Sequence, residues 1–194
     1  MTLPRCAWVP PANALYVAYH DDEWGVPCHD ERRLFEMLNL EGAQAGLSWS
    51  TILGKRETYR LAFDDWDAHK IARYDAGKVA QLLADPGIVR NRLKVAAAIT
   101  NARAYLCLCD EAGGLDAYLW SFVGGVPVQD AMVPAPTKTA LSDRISKDLL
   151  KRGFKFVGST IVYAYLQGIG VVNDHAPDCY LHPGGAPGIS SCDV

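Results

Sequence analysis

The sequence predicts an all-α domain. Apolar residues recur at helical spacing in seven segments, no stretch alternates apolar and polar residues as a half-buried strand would, and Gly and Pro cluster between those segments. In chain order, Asp30 caps a first helix through "ERRLFEMLNL", whose Leu34, Met37, Leu38 and Glu41 share one face. A second helical segment runs from about Gln44 to Lys55, and "GKVAQLLA" (77–84) is a third. The fourth, 90–109, carries Val95, Ile99, Ala102 and Leu106 on one stripe. "LDAYLWSFV" (115–123) is a fifth, "LSDRISKDLLKRG" a sixth that ends at Gly153, and 157–169 a seventh. Two Gly and three Pro make "GGVPVQDAMVPAPTK", within 123–140, a loop. Both ends read as irregular. There is no internal repeat and no low-complexity tract, so residues 1–194 form one domain.

The 194 residues are 49% hydrophobic and 21% charged, which supports a sizeable core. The amino terminus has no apolar run, so no signal peptide is expected. The most apolar stretch, "VGSTIVYAYLQGIGVV" (157–172), carries Ser, Thr and Gln and is too short to span a membrane. The six cysteines are therefore expected as thiols or metal ligands in a reducing cytoplasm. Cys107 and Cys109 are expected as buried thiols of a helix interior.

The net charge of −3 does not exclude a nucleic-acid partner, because binding needs only one positive face. Arg90, Arg92 and Lys94 form one basic cluster, and Lys147, Lys151, Arg152 and Lys155 another. Each also reads as a solvated helix face. In "ADPGIVRNR", Pro86 stops a helix, Gly87 permits a tight turn, and a new helix starts with its backbone N–H groups exposed. That is the layout of a phosphate-binding hairpin. With only one glycine where the fuller hairpin pattern has two, the stretch on its own reads as a plain connection.

Chemistry concentrates in "YVAYHDDEWGVP" (16–27) and "LEGAQAGLSWS" (40–50). Aromatics interleaved with acids suit a pocket for a flat, electron-poor ring, since a π-face attracts a cation and a carboxylate accepts from an exocyclic amine. Core aromatics beside solvated acids give the same pattern. Gly42 and Gly46 weaken the local helix and mark a close approach of ligand or backbone. For metals, His175-x-x-x-Cys179 is the best pair, with Cys6 and His20 as distant partners; no Cys-x-x-Cys or His-Glu-x-x-His supports it. Cys28, His29 and His182 stay undecided.

The segments "YVAYHDDEWGVP", "LFEMLNLEGAQAGLSW", "NARAYL", "WSFV", "KRGFKFVGSTIVYAYLQ" and "GVVNDH" resemble the bacterial 3-methyladenine DNA glycosylases of the type I, constitutive class, in the helix-hairpin-helix glycosylase superfamily. The resemblance runs from Cys6 to about Cys179. It implies an all-helical enzyme that clamps alkylated duplex DNA with a hairpin, here about residues 77–106, flips the damaged nucleotide and hydrolyses its N-glycosidic bond. Glu41 would read the adenine edge, Trp49 would stack on the base, and Tyr19, Tyr16 and Trp24 would line the pocket. Leu47 would fill the gap left by the base, and Gly87, Arg90 and Arg92 would meet the DNA backbone. A structural zinc held by Cys6, His20, His175 and Cys179 would join the terminal segments, about 1–30 and 170–194; His182 is a further potential ligand. No lysine matches a Schiff-base position, so no lyase activity is expected. Asp116 is the only acid near the place where many superfamily relatives carry an aspartate, and this class is expected to lack it. The expected form is a cytoplasmic monomer with 3-methyladenine as product. The rival readings are a zinc-dependent hydrolase with an open site at His175 and Cys179, and a non-catalytic DNA-damage binding protein.

Overall fold

The computed structural model describes residues 3–129 and 135–184. They form α1 (Ala14–Asp22), α2 (Glu31–Gln44), α3 (Trp49–Leu53), α4 (Arg56–Ala62), a 3-10 turn (Asp64–Trp66), α5 (Ala68–Ile71), α6 (Ala76–Ala84), α7 (Arg92–Ala112), α8 (Leu115–Ser121), α9 (Ala140–Lys151) and α10 (Ser159–Gly168). Caps explain most of the starting points. Asn13, Asp30, Ser48, Asp67, Asp75 and Asn91 each accept from a backbone N–H of the first turn, which satisfies donors the helix itself cannot. Thr139 and Ser142 close a reciprocal capping box on α9.

Helix α2 is the centre. Every residue from Leu34 to Ala43 is buried, and the helix touches α3, α7, α8 and α10. Burial all round is what an interior helix requires. Its Gly42 lets Phe156 approach: a Cβ there would lie 3.1 Å from the Phe156 Cβ. Gly153 follows α9 at φ +94°, as its sequence position requires. No helix among the described residues is long and apolar enough to cross a membrane.

Five expectations are corrected. The first terminus is not wholly irregular: "ALYVAYHDD" is helical although it has no apolar stripe, because its buried side chains are the aromatic Tyr19 and the polar His20. The 44–55 segment is broken at Ala45–Ser48, where Gly46 takes φ +78°, and restarts under the Ser48 cap. The 123–140 loop contains β1 (Val128–Gln129), paired in parallel with β2 (Val172–Asn173); the rest of it includes 130–134, which lie outside the described residues. Cys107 is exposed and Cys109 partly buried, because α7 turns that face to solvent. The N-terminus of α7 is not bare, since the Asn91 Oδ1 accepts from the N–H groups of Leu93 and Lys94.

Candidate active site

A cavity of about 220 Å³ opens between α1, α2, α3 and α10. Trp8, Tyr16, Tyr19, Trp24, Glu41, Gln44, Trp49, Ala164 and Gln167 line it. All five residues expected at a base pocket are present. Tyr16, Tyr19 and Trp24 come from α1 and the turn after it, Glu41 from the buried face of α2, and Trp49 from the first turn of α3. The Tyr19 and Trp49 rings lie 5.2 Å apart, and Trp8 meets Trp24 edge-on at 4.9 Å. Trp8, Gln44, Ala164 and Gln167 were missed. Gln44 lies one turn after Glu41, so the helical period of α2 was a usable signal for it; the other three arrive only through tertiary packing.

Glu41 is the electrostatic anomaly. It is buried, no described residue hydrogen-bonds its carboxyl, and burial raises its pKa from the ordinary 4.5 to about 8. An acid left without a partner in a cavity disposes the site toward a cation or a strong donor. The Trp49 Nε1–H is a second buried group with no partner among the described residues. Nearby, the Arg56 guanidinium donates to both oxygens of Glu36 at 2.9 and 2.8 Å and to Glu23 at 2.6 Å. These bonds tie α4 to α2 and to the end of α1, so the wall is braced from behind.

Leu47 sits in the turn between α2 and α3, between the cavity-lining Gln44 and Trp49 in sequence, and is 42% exposed. Gly87, Arg90 and Arg92 lie in and after the α6–α7 turn, and both arginines are exposed. The Gly87 N–H is already taken by Asp85 Oδ1 at 2.7 Å, and its carbonyl accepts from Thr58 Oγ1. Lys55 donates to the Pro86 carbonyl at 2.7 Å. The turn is therefore fastened to α4 and offers side chains more than bare N–H groups. Lys94, read as part of the same basic cluster, is committed elsewhere: its ammonium donates to the carbonyls of Ala43 and Ala45, each at 2.7 Å, at the C-terminus of α2.

The two ends of the chain meet. Tyr180 N–H donates to the Pro4 carbonyl at 2.9 Å. Ligand atoms of Cys6, His20 and Cys179, all buried, lie within 4.8 Å of one another. The His20 Nδ1 bonds Asp21 at 2.8 Å, which leaves Nε2 facing Cys179 Sγ at 3.4 Å. Arg5 in turn clamps Asp21 and holds its carboxyl down at about 2. A carboxylate orienting an imidazole in this way is the usual outer support of a metal ligand. His175 stands beside the trio, its ring 5.0 Å from that of His20. Its Nδ1 bonds Asn173 at 2.9 Å, and its Nε2 is buried with no partner among the described residues. Two thiols and two imidazole nitrogens, three converged and the fourth an orphan beside them, fit a tetrahedral soft-metal site. None of the four lines the cavity. They lie behind its wall, with Trp24 edge-on to His175 at 4.7 Å and Trp8 edge-on to His20 at 5.3 Å. Asp116 pairs with His29 at 2.7 Å and does not line the cavity.

The profile of the methyladenine glycosylases matches residues 8–182. The chain belongs to the methyladenine glycosylase family. It is 49% identical over 188 residues to DNA-3-methyladenine glycosylase 1 of Escherichia coli (strain K12), covering 95% of this chain and all of that one. It is 44% identical over 178 residues to DNA-3-methyladenine glycosylase of Haemophilus influenzae, covering 90% and 96%. Among solved structures, a 3-methyladenine DNA glycosylase I superposes with a TM-score of 0.88 at 49% identity, over 92% of this chain and 100% of that one. The Staphylococcus aureus 3-methyladenine DNA glycosylase I, solved to explain 3-methyladenine recognition, superposes with a TM-score of 0.86 at 36% identity, over 89% and 93%. The family match thus spans the cavity lining, the α6–α7 turn, and His20, His175 and Cys179.

Proposed function

We propose that this chain is a base-excision repair glycosylase that takes 3-methyladenine out of alkylated duplex DNA by hydrolysing its N-glycosidic bond, leaving an abasic site. The observation that carries the reading is the buried, unpartnered Glu41 carboxyl inside an aromatic cavity on a methyladenine glycosylase chain. Adenine methylated at N3 is cationic while attached to the sugar, so it is already a good leaving group. Strong general-acid protonation is unnecessary. Affinity for the flipped cation is what the site must supply. Glu41, ionised against the cation, accepts from the exocyclic amine. Trp49 stacks on the ring, and Tyr16, Tyr19 and Trp24 complete the wall. Extracting the base costs a few kcal/mol, which stacking of roughly 1–3 kcal/mol per contact offsets in large part. Developing positive charge on the sugar then needs only a water on the opposite face.

On the DNA side, α6, its turn and α7 serve as the hairpin, with Arg90 and Arg92 on phosphates and Leu47 in the gap left by the base. Arg92→Ala is expected to weaken duplex binding equally across sequences and to lower the salt-dependence slope by about one; an unchanged slope in a salt titration removes Arg92 from the phosphate contacts. When bound, a zinc ion held by Cys6, His20, His175 and Cys179 supplies a cross-link between the chain's ends. Four protein donors fill a tetrahedron and leave no position for water, which disfavours the zinc-hydrolase reading.

Incubation with methylated duplex DNA tests the proposal. Free 3-methyladenine and intact, alkali-labile strands are expected, without direct strand cleavage. Tight binding without released base identifies a damage binder instead. Trp49→Ala is expected to weaken binding of free 3-methyladenine by about ten- to a hundredfold, on the scale of one lost stacking contact; equal affinity in a titration places the stacking elsewhere.

A further inference from the structure

We propose that Gln167 is a specificity-determining residue of the pocket, its amide oxygen turned to the cavity by Asp174 so that it accepts from the exocyclic amine of adenine and rejects a base with a carbonyl there. The inference rests on the glycosylase reading above and goes beyond it by naming a second reader.

Gln167 stands on the last turn of α10 and lines the same cavity as Glu41. Its Nε2 donates to the Asp174 Oδ2 at 2.6 Å, and the Tyr163 hydroxyl donates to the same oxygen. A carboxylate accepts and does not donate, so the amide cannot turn over without losing that bond. The backbone is fixed as well. The Gln167 carbonyl accepts from Gly25 N–H at 2.8 Å and from Gly170 N–H at 3.2 Å. Asp174 takes one of the two Nε2 N–H donors and so fixes which end of the amide is the oxygen; no described residue donates to that oxygen.

An adenine-type base presents an amine with two N–H donors at its six-position. Glu41 takes one, and Gln167 Oε1 is placed to take the other. A guanine-type base presents a carbonyl at that position. It would set its oxygen against the Gln167 Oε1, oxygen to oxygen and without the amine donor this position receives, and a site built to receive donors discriminates sharply against a ligand lacking them. Asp174 is accordingly a positioning residue: it touches no base, yet it decides which end of the amide the base meets.

The test is the affinity ratio for free 3-methyladenine over free 3-methylguanine, read by tryptophan fluorescence, in the wild type, Gln167→Met and Asp174→Asn. The wild type is expected to prefer 3-methyladenine. Gln167→Met is expected to weaken 3-methyladenine binding about three- to tenfold, the scale of one hydrogen bond, while 3-methylguanine binding holds or improves. Asp174→Asn, which frees the amide to turn over, is expected to lower the ratio in the same direction with Gln167 intact, and it carries the test if Gln167→Met melts far below the wild type. Equal weakening of both bases, leaving the ratio unchanged in both variants, overturns the inference while the glycosylase reading stands. A wild type that binds neither base removes the glycosylase reading, and this inference with it.

Discussion

Glu41→Gln is expected to yield a protein that is more stable and an enzyme that is much worse. The carboxyl is buried without a partner, and burial lifts its pKa from 4.5 to about 8. The folded state therefore holds a proton that the unfolded chain has already released, and unfolding free energy falls as pH rises from about 4.5 to about 8. Above that window the full penalty applies, on the order of 4–5 kcal/mol for this displacement, taken as an upper figure. Gln has the shape of the protonated acid and no charge to desolvate. Wild type and variant should therefore melt alike near pH 4.5 and diverge as pH rises, the variant ahead by a few kcal/mol at pH 8. Excision moves the other way. A hydrogen bond to a charged group contributes about 1.5–3 kcal/mol, so kcat/KM should fall roughly ten- to a hundredfold or more, since the charge complement to the cation is lost as well. In the wild type, kcat/KM should climb with pH toward about 8 as Glu41 ionises, and in the variant that rise should be absent. Parallel pH-stability curves would show that Glu41 is charged and satisfied in the free protein, and the argument for a cavity poised for a cation would fail. Stability given up at one buried acid is the familiar cost of a preformed site.

How far such a site is legible in sequence depends on which contacts are local. The interior of α2 is local: Leu34, Met37, Leu38 and Glu41 repeat at helical spacing, and the structure buries all four. The Asp30 cap and the Gly153 stop are equally readable, because each acts within one turn. Helix α1 is not, since "ALYVAYHDD" buries an aromatic and a histidine instead of an apolar stripe. The break at Ala45–Ser48 follows from Gly46 at positive φ, a conformation that composition permits but does not demand. Trp8 and Gln167 reach the cavity from positions more than 150 residues apart, and no pattern within either segment relates them. The proposed metal donors show the same limit. His175 and Cys179 are four apart and visible, but Cys6 and His20 join them only when the termini fold back on each other, and their spacing alone leaves that pairing open.

Removing the zinc proposed at the joined termini is expected to unfold the protein from its ends before it affects the chemistry. Cys6, His20 and Cys179 converge within 4.8 Å, and His175 offers a buried, unpartnered nitrogen beside them. Without an ion, these groups are polar atoms sealed in the interior with few partners, and the segments carrying Cys6 and Cys179 have little regular structure to hold them. A loss of about 3 kcal/mol corresponds, for a chain of this size, to a fall in Tm of roughly 6–12 °C. Cys179→Ser should lower metal content and Tm together, and a full zinc complement in that variant would point to His182 as the ligand instead. The aromatic wall makes a second readout. Trp8 and Trp24 stand between the cavity and the two histidines, edge-on to His20 and His175, so stripping the metal should change tryptophan fluorescence and weaken free-base binding in step with unfolding. Activity should therefore track the folded fraction: metal-free protein held at low temperature, where it stays folded, keeps most of its excision. Abolished excision at unchanged Tm and fluorescence would place the metal in the reaction and revive the hydrolase reading. The proposed four-donor set, with His175 as the fourth, argues against that result, because a metal that activates water needs a coordination position open to it.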